Sequence, residues 1–259
     1  MTALEPFLVD VRDDGVAIVT IDRPAKHNAM SVAFFRNLPR LLDELDADDR
    51  VRAIVVTGAG DKAFSAGGDI ATFAEMDDVG AYRRRLRIVY DAFHSVERAE
   101  TPVIAAVNGI AFGGGTELAL ACDLVIASER ARFAFREPTV GLMPGYGVIR
   151  GPAVIGPMWT RYLALSAEPI DGETAARIGL ALMCVEHDTL MAEAIRLAAG
   201  IAARAPMAVR LGKAFVNRSQ WAPGLPESIE ATALLFTTQD HKQAVQAFLH
   251  KEPPEFKGR

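Results

Sequence analysis

"PVIAAVNGIAFGGGTELALACDLVIAS", residues Pro102–Ser128, joins two apolar runs through a glycine cluster and a helix-like segment. "PVIAAVNG" (Pro102–Gly109) is short, nearly all apolar and ended by glycine, which fits a buried strand rather than an amphipathic one. "DLVIAS" (Asp123–Ser128) reads the same way. Between them Gly113, Gly114 and Gly115 open an apolar helix, although glycine costs roughly 1 kcal/mol relative to alanine at a helical position. Strand, glycine turn, helix and strand in succession predict an α/β fold.

The same logic extends outward in both directions. "FLVDV" (Phe7–Val11) and "VAIVTI" (Val16–Ile21) flank Asp13-Asp14-Gly15, a hairpin signal. Ser31 is placed to cap a helix reaching about Leu45. "RAIVVTG" (Arg52–Gly58) is another buried strand, and "FSAGGDI" (Phe64–Ile70) a second glycine-rich turn; a helix is expected soon after each of the two turns. A long helix is predicted over Val79–Val96, and "RFAF" (Arg132–Phe135) is a further strand. Beyond Pro144 helical periods dominate from Trp159 on, notably over Leu190–Ala203 and Pro226–Leu249. The expected organisation is a mixed core over residues 1–195 and an all-helical region over 196–259.

The chain has 259 residues, half of them hydrophobic, enough to bury a sizeable core as one large domain. A net charge of −5 gives no electrostatic case for nucleic acid. The one basic cluster, Arg83, Arg84, Arg85 and Arg87, reads as a solvated helix face. The two cysteines, Cys122 and Cys184, are far apart and in no CxxC pair, which predicts a reducing, cytoplasmic compartment. The start, "MTALEPFLVDVRDDG", lacks a signal-peptide pattern, and no apolar run reaches a membrane span of about 18 residues. The five histidines are scattered without HExxH or a similar pair, so no metal site is expected; GxSxG and Walker A motifs are absent.

Chemistry-bearing residues gather at the glycine turns. Glycine lets the backbone approach a ligand closely, and a helix start leaves N–H groups without intrahelical partners. The turns therefore serve either as a pair of N–H donors for one oxygen or as tight strand-to-helix packing. Glu117 lies one helical turn past Gly114 and stands alone among apolar neighbours, so it faces a site, water, a helix cap or an arginine. Burial would raise its pKa and the helix N-terminus would lower it. Glu137, in "FREPTVGLMPGYG", is a second carboxylate on a separate element, with Arg136 an alternative functional residue beside it. Two glutamates near a paired N–H site suit acid–base work at a carbon next to a carbonyl.

"RPAKHNAMS", "KAFSAGGDI", the opening stretch and "FREPTVGLMPGYG" follow one another in an order and spacing that resembles the crotonase (enoyl-CoA hydratase/isomerase) family, and "DHKQAVQAFLHKEPPEFKGR" is similar to that family's C-terminal helix and tail. The resemblance spans about Phe7 to Phe256. It implies a spiral of repeated ββα units with a C-terminal helical trimerisation region, and a homo-trimer or a hexamer built as a dimer of trimers. It implies an acyl-CoA substrate, with coenzyme A part of that substrate and no separate cofactor; the acidic balance and the lack of a membrane-length apolar run leave neither nucleic acid nor membrane as an expected partner. By the same match the thioester oxygen is held by the N–H groups of Gly68 and Gly114. The CoA runs past Lys26, His27 and Ala29, with the adenine by Ala66, Asp69 and Ile70, and Lys251 from a neighbouring subunit approaches the CoA phosphates. Glu117 and Glu137 fill both glutamate positions of the hydratases, holding a water for attack at C3 and exchanging a proton at C2, with the Gly145 N–H near that water. Dienoyl-CoA isomerases carry aspartates at the positions of Glu117 and Gly145, and this chain does not. Enoyl-CoA delta-isomerase activity, other enolate chemistry (C–C cleavage or thioester hydrolysis) and a non-catalytic CoA-binding protein are the alternatives. The chain departs from the family's usual pattern at "PGYGVIRGP", which is one residue short and lacks a Thr-Gln pair, at Pro138 directly after Glu137, and at Glu252 beside Lys251.

Overall fold

The computed structural model describes residues 4–72, 78–218 and 225–254. The chain opens with β1 (Phe7–Val11) and β2 (Val16–Ile21), an antiparallel hairpin with Phe7 opposite Ile21. Helix α1 (Val32–Asp46) follows, capped by the Ser31 hydroxyl, which accepts from the Phe34 N–H.

Three repeating units then build the body. Each sends one strand into a large sheet, a shorter strand into a small sheet, and then a helical element. The first is β3 (Ala53–Gly58), β4 (Ala63–Ser65) and α2 (Val79–Arg98). The second is β5 (Val103–Val107), β6 (Ile110–Phe112) and α3 (Gly114–Ala121). The third is β7 (Leu124–Ser128), β8 (Arg132–Ala134) and a 3-10 turn over Glu137–Val140, leading to α4 (Gly147–Val154). The rest is α5 (Gly156–Ser166), β9 (Ile170–Asp171), α6 (Gly172–Arg177), β10 (Met183–Val185), α7 (Leu190–Ala202), α8 (Pro206–Arg218), α9 (Leu225–Phe236) and α10 (Gln239–His250).

The large sheet runs β1-β2-β3-β5-β7-β10, parallel from β2 onward, with Val16 beside Ala53, Ile54 beside Val103 and Ile104 beside Leu124. Its central strands are buried on both faces, as their unbroken apolar runs require. Val16, Val55, Ile104 and Ile126 pack against Leu190, Ala194 and Ala198 of α7 on one face. Ile54, Val56, Val103 and Ala105 join the main core with α1 and α2 on the other. The small sheet runs β4-β6-β8-β9, its first three strands parallel and adjacent. This is the spiral of ββα units that the resemblance implies.

Several sequence expectations need correction. Among the described residues the first glycine turn leads into a 3-10 turn, Ile70–Thr72, and the next α-helix is α2, from Val79 behind an Asp78 cap. The helical texture beyond Pro144 is interrupted by β9 and β10, which close the edges of both sheets. The expected helix over Pro226–Leu249 is two helices, parted where the Thr238 hydroxyl accepts from the His241 N–H and caps α10. The tail from Glu255, including Phe256, lies outside the described residues. No described helix is long and apolar enough to cross a membrane.

A buried ion pair ties α8 to the core. Lys213 Nζ stands 2.8 Å from Asp123 Oδ2 and also donates to the carbonyls of Val96 and Thr101. Asp123 in turn accepts from the Val103 N–H at the start of β5 and from Asn217 on α8. Only 5% of the Lys213 side chain reaches solvent. Replacing Asp123 by Ala strands that ammonium, at a cost of about 3–5 kcal/mol. The expected result is a large drop in the urea midpoint, while D123N, which keeps an acceptor for the lysine, lies between the two.

Candidate functional site

The parallel order β4-β6-β8 delivers three turns to one place. Leaving β4 the chain makes the turn Ala66–Gly68; leaving β6 it makes Gly113–Gly114; leaving β8 it reaches Glu137. The first two turns touch through bare backbone. A Cβ built on Gly67, whose φ is +91°, would lie 2.6 Å from the Phe112 carbonyl and 3.1 Å from the Gly114 nitrogen. Gly113 has φ +51°, and its Cβ would come 2.8 Å from Glu137 Oε1. Its own N–H donates to the Ala134 carbonyl, fixing the turn against the end of β8.

Gly114 is the first residue of α3, so its N–H has no intrahelical partner. Gly68 forms a parallel bridge with Met30 in which the donors are Met30 and Asp69 and the acceptors the carbonyls of Gly67 and Met30, so the Gly68 N–H takes no part in it. Both glycines line one cavity with Glu117, Glu137 and Gly145. Its volume is about 390 Å³, and Phe35, Tyr82, Phe93, Phe112 and Phe248 make its walls largely aromatic.

Glu117 is 5% exposed. Its Oε1 accepts two backbone N–H groups, from Tyr146 at 3.0 Å and Gly147 at 2.8 Å, where α4 begins. The carboxylate therefore sits at a helix N-terminus, that of α4. Desolvation outweighs these two hydrogen bonds and pushes Glu117 up to about 7. Glu137 is held well above the usual carboxylate range, first by burial and then by the charge of Glu117. It follows a short strand and starts a 3-10 turn in which Pro138, lacking an N–H, suits the first position. Its Oε2 is sealed from solvent and has no hydrogen-bond partner among the described residues.

The other predicted site residues form a cluster strapped to the first glycine turn. The Ala66 N–H donates to the His27 carbonyl, the Met30 N–H to Gly67, and the Ser65 hydroxyl to the Asn28 carbonyl. The buried Asn28 amide donates to the carbonyls of Ala59 and Ala63, holding this loop in register. Lys26 and His27 are exposed, Ala29 is half-buried, and Ala66 and Ile70 reach the cavity wall. Asp69 pairs with Arg23 at 3.2 Å. Lys251 stands apart as the exposed left-handed cap of α10, three residues beyond Phe248.

Sequence reasoning overlooked several lining residues. Arg85 belongs to the cluster read as a solvated helix face, yet it is half-buried, lines the cavity and donates to the Thr72 hydroxyl at 2.7 Å. It shares a face of α2 with Tyr82 and Val89, a helical spacing that gave the signal. Arg136, by contrast, was named as the alternative functional residue beside Glu137; it lines the cavity too, with its guanidinium over the Phe112 ring and bonded to the Ala167 carbonyl. Tyr146 and Gly147 were overlooked as the donors that hold Glu117.

The chain is similar over nearly its whole length to known proteins. A family model described as enoyl-CoA hydratase/isomerase matches residues 12–259. The chain is 38% identical over 254 residues to the short-chain-enoyl-CoA hydratase of Clostridium acetobutylicum, covering 96% of this chain and 97% of that protein. It is 36% identical over 249 residues to the crotonyl-CoA hydratase of Syntrophomonas wolfei, covering 95% of each. Among solved structures it is similar to an enoyl-CoA hydratase/isomerase from Xanthobacter autotrophicus, with a TM-score of 0.88 and 30% identity over 96% of this chain and 94% of the other.

Two outcomes follow from the site's packing and charge. A methyl group at position 113 collides with the far end of the Glu137 side chain, so a crystal structure of Gly113→Ala is expected to show that carboxyl swung away from α3. Because the folded pKa of Glu117 is raised above its ordinary 4.5, the folded chain holds a proton between about 4.5 and 7 that the unfolded chain has released. The associated stability is full below 4.5 and is lost as pH rises through 7. The unfolding free energy of the wild type minus that of E117Q is therefore expected to fall across that window and level off above it.

Proposed function

Because this chain belongs to the enoyl-CoA hydratase/isomerase (crotonase) family, we propose that it adds water across the 2,3 double bond of an enoyl-CoA thioester. The observation that carries this reading is the pair of glutamates brought from separate repeats to one cavity, beside two adjoining glycine turns. Their environments push their proton affinities apart, the usual mark of an acid and a base side by side.

In this reading the thioester oxygen accepts hydrogen bonds from the N–H groups of Gly68 and Gly114, and negative charge grows there as water adds to C3. One such donor contributes about 3 kcal/mol to the transition state. Glu117, the less perturbed of the two, gives up its proton as pH rises through about 7, and as the carboxylate it takes the proton of the attacking water. Both Tyr146 and Gly147 donate to its Oε1, which fixes the carboxylate and leaves Oε2 for the water. Glu137 keeps its proton and delivers it to C2, and the proton taken up by Glu117 then passes to Glu137, which restores both carboxyls and leaves the net addition of one water in the 3-hydroxyacyl product. Gly145 lines the same cavity, and in this reading its backbone faces that water.

The CoA portion lies along the exposed loop of Lys26, His27 and Ala29 and past Ala66, Asp69 and Ile70, while the acyl chain enters the aromatic cavity. We further propose that residues 196–259 assemble the chain into a trimer or hexamer, in which Lys251 reaches a neighbour's CoA. The exposed Met207, Leu211 and Phe215, spaced four apart along α8, support such an interface.

The test is loss of enoyl absorbance with crotonyl-CoA and longer enoyl-CoAs, with products identified by mass spectrometry in labelled water. Glu117→Gln and Glu137→Gln are each expected to lower kcat by about 10²–10⁴-fold, the range for general acid–base groups. Full activity in both variants would sink the mechanism, and rearrangement of the double bond without label uptake would assign an isomerase instead.

A further inference from the structure

The 3-10 turn that carries Glu137 rests on the first turn of α10. His241, 2% exposed, has its Nδ1 2.7 Å from the Val140 carbonyl, the last residue of that turn. A carbonyl only accepts, so the imidazole is the tautomer with its proton on Nδ1. Burial lowers the pKa of His241, which keeps the ring neutral. The backbones meet beside this bond: at Gly141 a Cβ would lie 2.8 Å from His241 Cα. Within the turn the Leu142 N–H donates to the Glu137 carbonyl, so a pull on Val140 is passed to the glutamate through one tight loop.

The clamp is braced from behind. The His241 ring lies 5.1 Å from Phe236 of α9, which stacks at 4.1 Å on Tyr82 of the cavity wall. Two turns further along α10, Phe248 forms part of the same cavity. One helix therefore touches both the loop under the glutamate and the space for the acyl chain.

We propose that His241 is a positioning residue: its Nδ1–H to Val140 fixes the Glu137 turn against α10, so that the Glu137 carboxyl stands ready at C2 only while α10 is seated. This rests on the hydratase reading for the role of Glu137, but the contact itself is a separate claim with a separate readout.

The test compares three variants of the full chain with the wild type. His241→Phe keeps a ring among its aromatic neighbours and removes the donor. His241→Asn keeps an N–H at nearly the position of Nδ1. Gly141→Ala strains the same contact from the other side with His241 intact, should the phenylalanine variant not fold. With crotonyl-CoA as substrate, His241→Phe and Gly141→Ala are expected to lower kcat at least tenfold with KM changed less than threefold, and His241→Asn to stay within threefold of wild type. Hydrogen exchange of residues 137–142 is expected to speed up in the first two variants only. Wild-type kcat and exchange in His241→Phe would overturn the proposal, as would an equal loss of kcat in His241→Asn. Glu137→Gln is measured alongside: if it retains full activity the hydratase reading fails, while the exchange data still decide whether His241 holds the turn.

Discussion

A contact between bare backbones governs this molecule. Where the chain passes Gly67 it lies so near Phe112 and Gly114 that no side chain fits between them. That closeness requires β4 and β6 to be neighbours in the small sheet and requires each to end abruptly in a turn. The Asn28 amide and the Ser65 hydroxyl hold the first turn from below, and the Gly113 N–H ties the second to β8. The large sheet and its flanking helices supply the rigidity with which those turns are pressed together, since its central strands are covered on both faces.

The electrostatics follow from the same compactness. Closing the cavity with aromatic rings removes water from two carboxyls at once, which is costly for either as an anion. The fold offsets that cost chiefly for one of them. Glu117 receives two N–H groups from the start of α4, whereas Glu137 has a bare Oε2 and a charged neighbour. Different proton affinities in a pair of identical side chains thus come from where backbone amides are aimed.

The long apolar strands β2, β3, β5 and β7, the capped helix α1 and the glycine turns were legible because their residue types leave few alternatives. Of the small sheet's strands only β8 was legible, as the run Arg132–Phe135: β4 and β6 are three residues each and β9 two, too short for periodicity to register. The break between α9 and α10 hides in Thr237-Thr238, where a hydroxyl cap competes with a continuous helical pattern. At the site, Glu117 and Glu137 were legible as carboxylates out of place. The donors to Glu117 were not, because a backbone N–H belongs to every residue and acquires a role only through the geometry of the turn at Tyr146 and Gly147. Arg85 was misread because a run of arginines looks solvated, although a helix of twenty residues turns one of them inward.

The repetition of the ββα unit has a consequence for how such a molecule can diversify. Gly68, Gly114 with Glu117, and Glu137 each hang on a different repeat, at the same point past the small-sheet strand. An insertion in either of the first two turns disturbs both, because they touch through bare backbone, whereas a change of side chain at the end of the third leaves that contact and the large sheet's register in place. Under the proposed function, the side chain at position 137 is thus the part a lineage can alter while the two touching glycine turns keep their places.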